Sequence, residues 1–318
     1  MTVAKEAMPP ALDARRREVA GHTGLLSYYY RAPESLLDSR PLLLLHSINA
    51  AASAHEMRPL FEHYARFRPV YALDLPGYGF SERSARRYTP RLMTDAVHDV
   101  LQVIQQDCGE VAVDALAVSL SCEFLARAAR ESPADFQTLA LVSPTGFNRS
   151  EPQQAPPGTT RGIPWLYRVV TAPVLGNVLF RLLASPPSVR FFLRKTWGSK
   201  DIDAEMAEYA CRTAKQPGAS HAPFYFLSGY LFSADIYAVY SALSQPVWMV
   251  HGTRGDFTDY RLEKHFESRS NWHLRCFESG ALPYFEKLQD FCLAYDEFLH
   301  VHGSKSDAEG FAVGEPVS

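Results

Sequence analysis

Apolar residues in this chain come in short unbroken runs bounded by Gly, Pro and Asp. Between these runs lie stretches whose apolar positions recur every three or four residues. Leu42–Leu45, Val70–Leu73, Val113–Val118, Leu139–Val142, Val247–Val250 and Trp272–Phe277 are nearly continuous. A strand with one wet face would alternate instead, so these runs predict strands covered on both sides. The periodic stretches predict helices. Thr89 is placed as an N-cap with Pro90 at the first helical position, and Leu92, Ala96, Val100 and Ile104 follow at intervals of four. A second stripe, Leu288, Phe291, Cys292, Tyr295, Phe298 and Leu299, predicts a helix near the end. Strand and helix in alternation predict an α/β fold with a mostly parallel sheet, opened by an antiparallel pair around Arg17–Ala20 and Leu25–Tyr30.

One connection breaks the rhythm. Between Ser143 and Gln245 no strand-like run occurs, and the segment is helical in pattern and rich in Pro, Leu and aromatics. That is far too long for a plain loop, so residues 148–244 are expected to form a helical lid. Residues 1–147 and 245–302 then make the core, and the polar tail at 303–318 is expected to be disordered.

Composition narrows the function more by exclusion than by pointing. A net charge of −3 leaves no nucleic-acid footprint, and the clusters Arg15-Arg16-Arg17 and Arg86-Arg87 read as solvated surface charge. Five scattered cysteines without CxxC or Cys/His spacing favour reduced thiols and a cytoplasmic location, with no metal or other cofactor expected. No apolar stretch precedes the N-terminal charges, so no signal peptide is expected. The most apolar window, Val169–Leu183, is broken by Pro173 and Arg181, which predicts no stable membrane insertion.

The sharpest chemical signal is VDALAVSLSCEFLARAA, where an apolar strand runs straight into a helix and Ser119 stands at the turn. A nucleophile elbow needs small residues two positions either side of its serine, because strand and helix backbones approach closely there. Ala117 and Ser121 fill those positions. Taken alone, such a serine is more often a plain N-cap.

The neighbouring motifs shift that balance. From about Arg17 to Leu299 the chain resembles the α/β-hydrolase superfamily: LLLLHSINA, YALDLPGYGFSE, the Ser119 elbow, LALVSP, a lid insertion, PVWMVHGTRGDF and SGALPYFE arrive in that family's order. The resemblance implies a mostly parallel eight-stranded sheet with a helical cap inserted before the penultimate strand. It also implies Ser119 as nucleophile, the backbone N–H groups of Ile48 and Leu120 as oxyanion hole, and Asp256 as the acid, with Asp259 as runner-up. One oxyanion donor is worth roughly 3–4 kcal/mol.

The same resemblance exposes a gap. The family's histidine falls on Ala281, while Gly280, Leu282, Pro283 and Glu286 keep the flanking pattern. A serine hydroxyl is a weak nucleophile without a base, and loss of the histidine alone costs about 10⁶ in turnover. His251, His46 and His221 are the candidate substitutes, although the first two are more often structural in this family. Cys122 reads as a core thiol. Trp165, Tyr167, Phe191, Phe192, Trp197, Phe224, Phe226, Tyr230 and Phe232 offer apolar surface above the expected pocket, which suits a small apolar ester, thioester or C–C bonded substrate. A lid resting on a membrane is the lesser alternative to a freely soluble one. Two functions stay open: an enzyme with a non-standard catalytic set, and a non-catalytic ligand- or partner-binding protein on the same fold. An alanine placed at 281 to trap a substrate would read identically.

Overall fold

The computed structural model describes residues 8–34 and 37–303. Of the tail expected at 303–318, Gly303 closes the last helix and 304–318 lie outside the described residues, as do the first seven residues and 35–36.

A hairpin opens the chain: β1 (Arg15–Gly21) pairs antiparallel with β2 (Gly24–Arg31). Then come β3 (Leu42–Leu45), α1 (Arg58–Tyr64), β4 (Val70–Asp74), α2 (Pro90–Cys108), β5 (Val113–Val118), α3 (Ser121–Glu131) and β6 (Phe136–Val142). Six helices follow before the next strand: α4 (Pro164–Val170), α5 (Leu175–Leu183), α6 (Pro186–Trp197), α7 (Ala204–Thr213), α8 (His221–Leu227) and α9 (Ile236–Ser241). The chain then completes the sheet with β7 (Val247–Gly252) and β8 (Trp272–Phe277), and ends in α10 (Pro283–Glu286) and α11 (Leu288–Gly303).

The eight strands form one sheet in the order β1-β2-β4-β3-β5-β6-β7-β8. β2 meets β4 antiparallel, and every pairing from β4 through β8 is parallel. Successive residues of β3 explain the unbroken leucines. Leu43 and Leu45 pack into the core on one face of the sheet, and Leu42 and Leu44 into the core on the other. Both faces are dry, so no polar alternation survives. The Thr89 hydroxyl accepts from the Leu92 N–H at 3.1 Å, which caps α2 where the sequence placed its start.

The helical insertion between β6 and β7 is tied to the core by buried polar contacts. Arg127 on α3 pairs with Asp235 at 2.7 Å, and the buried Glu123 carboxylate accepts from the Ser233 N–H at 2.7 Å. No single helix among the described residues is long and apolar enough to cross a membrane.

Candidate active site

Ser119 sits in the turn between β5 and α3 with φ +56°, a left-handed conformation that a side-chain-bearing residue adopts only under constraint. The constraint is visible on both sides. Its N–H donates to the Val142 carbonyl at 2.8 Å, extending the β5–β6 ladder by one residue, while its carbonyl accepts the Cys122 N–H of the first helical turn. Ala117 and Ser121 are both fully buried where strand and helix converge. Ser121 does more than stay small: its hydroxyl donates to the His46 carbonyl at 2.5 Å, locking the elbow to the end of β3.

That strand end carries the second half of the site. Glu56 is buried and accepts from the Ser47 N–H at 2.8 Å and from the Asn49 side-chain amide at 3.0 Å. Burial raises its pKa, and these donors oppose that rise. The Ile48 N–H lies between these two tethered residues. Among the described residues, neither the Ile48 N–H nor the Leu120 N–H has a backbone or side-chain acceptor. Two free donors beside a strained serine can hold a developing oxyanion.

No imidazole reaches Ser119. Among the described residues no side chain hydrogen-bonds its hydroxyl. Ala281, where the sequence expects the family's histidine, is buried and adjoins the end of β6. The Ser143 hydroxyl donates to the Ala281 carbonyl at 2.7 Å, and Ser143, like Ser119, has positive φ (+49°).

His46 has both ring nitrogens committed. Nε2 accepts the Leu75 N–H at 3.0 Å, so the proton sits on Nδ1 and is donated to the Ser47 carbonyl at 2.6 Å. Complete burial pushes its pKa down to about 4. Its one lone pair is taken, and it cannot accept a proton from Ser119 without breaking the loop.

His251 follows Val250 just as Ser119 follows Val118, one strand removed across β6. Its Nε2 meets the Glu263 carboxylate at 3.0 Å, its Nδ1 meets the Gly252 carbonyl at 3.1 Å, and its ring stacks on Tyr260. Glu263 is therefore an acid partner that no sequence motif marked. His221 opens α8 and donates from Nδ1 to the Arg83 carbonyl at 2.9 Å; with Tyr167, Phe224 and Tyr225 of the insertion and Ala85 and Arg86 of the core it lines an open pocket of about 410 Å³.

Asp256 lies in the loop after β7, where the sequence places the acid. Its carboxylate is exposed and faces Lys195 of α6 at 3.3 Å. Asp259 is also exposed, pairs with Arg261 at 2.8 Å, and has its pKa lowered by that guanidinium. The C-terminus of α6 lies against both loops: the Lys195 carbonyl takes the Asp256 N–H, and the Thr196 carbonyl takes the Ala281 N–H.

The remaining candidates divide simply. Cys122 is buried, bonds the Ala117 carbonyl at 3.2 Å and has its pKa raised by burial, as a core thiol should. All five cysteines are free. Trp197 and Phe224 are core, but Trp165, Phe191 and Phe192 are more than half exposed and contribute to the outer surface of the insertion. Among the described residues no group of three or more His, Cys, Asp or Glu side chains could hold a metal ion.

An eight-stranded mostly parallel sheet with its strained serine at the carboxyl edge defines an α/β-hydrolase. The Alpha/beta hydrolase family model matches residues 42–291, and the chain belongs to that family. No curated protein matches the chain by sequence at a significant level. Solved structures similar to it include a serine hydrolase involved in carbazole degradation, CarC (TM-score 0.69, 15% identity, covering 90% of this chain and 99% of that one). Another is the epoxide hydrolase CorEH (TM-score 0.69, 17% identity, 90% and 99% coverage). A third is Cfl2 from Burkholderia cenocepacia (TM-score 0.68, 19% identity, 89% and 95% coverage). At these identities the likeness concerns the fold.

Proposed function

We propose that this α/β-hydrolase family member acts on a small apolar ester, thioester or C–C bonded substrate through Ser119, with the N–H groups of Leu120 and Ile48 as its oxyanion hole. The observation that carries this reading is the strained Ser119 turn beside two N–H donors without acceptors. Holding a non-glycine residue at positive φ costs on the order of 1–3 kcal/mol, and free donors in a buried turn cost more. A fold that merely bound a ligand would have no use for either.

The Ser119 hydroxyl adds to the substrate carbonyl carbon, and its proton passes to water or to a basic atom of the substrate. The tetrahedral oxyanion collapses to an acyl-enzyme as the bond to the alcohol, thiol or carbon leaving group breaks; that group takes up a proton from water, and a second water hydrolyses the acyl-enzyme. Turnover is then slow by the standard of a complete triad, because oxyanion hole and binding alone leave roughly 10³–10⁴ over water. The test is labelling of Ser119 by a fluorophosphonate probe followed by intact-mass measurement. Slow, stoichiometric labelling that Ser119→Ala abolishes is expected. No labelling after prolonged exposure would refute the nucleophile.

A second reading has its own support. Asp256 is turned to Lys195, and His46, His251 and His221 are engaged elsewhere. These features suit a binding protein for a small apolar molecule that has abandoned catalysis. Binding of aromatic esters without any acyl-enzyme on acid quench would favour it.

A further inference from the structure

Helices α4, α5 and α6 carry apolar residues on the side that faces water. Val174, Leu175, Val178 and Leu182 recur at one-turn spacing along α5 and are all exposed, with Val174 at 78% and Leu182 at 62%. The opposite side of the same helix buries Gly176 and Phe180. Trp165 and Val169 repeat the pattern on α4, and Phe191 and Phe192 on α6. Helices on the surface of a water-soluble protein normally show the reverse polarity, and large exposed apolar patches mark interaction sites.

Charge says what kind of surface would cover this one. From Pro152 to Lys200 the chain carries seven Arg and Lys residues and no Asp or Glu, although the whole protein has net charge −3. Most of that charge is unneutralised. Among the described residues, no carboxylate lies in ion-pair range of Arg168, Arg181, Arg190 or Arg194.

We propose that the outer face of α4, α5 and α6 docks the protein on an anionic lipid bilayer, with the apolar stripe in the acyl–headgroup boundary and the guanidinium groups among the headgroups. Helices with Lys and Arg beside Trp, Phe and Leu lie in that interface, held by buried apolar area plus attraction to anionic lipid. Surface residence fits better than spanning, because α4 and α5 meet at 85° and neither crosses a membrane alone. A second copy of this chain is a poorer occupant. A two-fold contact would set the unneutralised basic cluster of one copy against the same cluster of the other. The proposal is independent of the chemistry at Ser119, so Ser119→Ala should dock equally well.

The full-length protein should co-sediment with phosphatidylcholine vesicles containing about 30% phosphatidylglycerol, much less with phosphatidylcholine alone, and should be released by salt. Trp197, Trp248 and Trp272 are buried, which leaves Trp165 as the reporter. Its emission should shift to the blue on anionic vesicles, and Trp165→Phe should remove the shift. Leu182→Glu with Phe192→Glu should weaken binding at least tenfold, and Arg181→Glu by roughly fivefold or more. Circular dichroism should show all these surface variants folded. Absence of binding to anionic vesicles, or equal binding to neutral ones, overturns the proposal. So would concentration-dependent self-association that Leu182→Glu abolishes, because a second copy would then be the occupant.

Discussion

Asp256 and Ala281 hang from adjacent carbonyls of one helix turn: Lys195 O accepts the Asp256 N–H at 3.1 Å, and Thr196 O accepts the Ala281 N–H at 2.9 Å. The loops that should carry acid and base are thus both fastened to the C-terminus of α6. Lys195 also pairs with the exposed Asp256 carboxylate at 3.3 Å.

A direct consequence concerns placing an imidazole at 281. Ala281→His alone should raise hydrolysis of an activated short-chain ester by no more than roughly 100-fold, because an imidazole without its acid forgoes about 10⁴ of the roughly 10⁶ that the histidine brings to a triad. Adding Lys195→Ala frees Asp256 to turn inward and should raise the rate at least another tenfold. Steady-state kinetics with Ser119→Ala as background decide it. Full recovery from Ala281→His alone would show that Asp256 is already in place.

Glu56 offers a second test, on the loop that presents the Ile48 N–H. Its two oxygens receive donors from Ser47 and Asn49. In Glu56→Gln one of those donors faces an amide NH₂ instead of an acceptor, and the loop loosens. Ser119 labelling by a fluorophosphonate should slow, by no more than the roughly 10²–10³-fold that losing one oxyanion donor costs. Binding of an apolar ligand should hold nearly constant. Equal loss of both would mean that Glu56 supports the fold at large.

Much of the scaffold was legible, for a physical reason. Strands buried on both faces must be continuous apolar runs, so β3, β5 and β8 have the bounds that the sequence implies. β6 begins at Phe136, three residues before the run at Leu139, because Gln137 and Thr138 interrupt the apolar signal. Thr138 is a polar residue inside the sheet, donating to the buried Asp114. The elbow was legible as a spacing of small residues around Ser119.

The site's electrostatics were not legible, because they depend on pairs remote in sequence. Nothing local announces that Lys195 faces Asp256, that Glu263 meets His251, or that the Leu75 N–H occupies the lone pair of His46. Glu56 belongs to no motif in the sequence, yet it is buried.

His46 makes acid stability a third prediction. Its pKa falls from an ordinary 6.5 to about 4 on folding, since burial disfavours the imidazolium. A depressed pKa contributes stability that is complete above pH 6.5 and is lost as pH falls toward 4, about 3 kcal/mol in all. The buried carboxylates Glu56, Asp74 and Glu123 have raised pKa values and work in the opposite direction at low pH. Comparison with His46→Gln separates the two, because glutamine keeps one acceptor and one donor without titrating in this range. Urea midpoints from pH 7 to pH 4 should fall more steeply for the wild type. Parallel slopes would show that the imidazole does not titrate on unfolding.

The α6 clamp itself can be tested at Gly280. A Cβ built there lies 2.5–2.7 Å from the backbone atoms of Trp197, closer than real side chains come. Little can yield. The Gly280 N–H is held by the Glu286 carboxylate at 2.7 Å, and the next residue is bonded to Thr196. Gly280→Ala should therefore destabilise the protein by about 2 kcal/mol, within the range for overpacking a filled interior, read as a shift in urea midpoint. The colliding atoms are backbone, so adding Trp197→Ala should give no rescue. Recovery of stability in that double variant would mean that the indole, and not the α6 backbone, sets how closely the two segments pack.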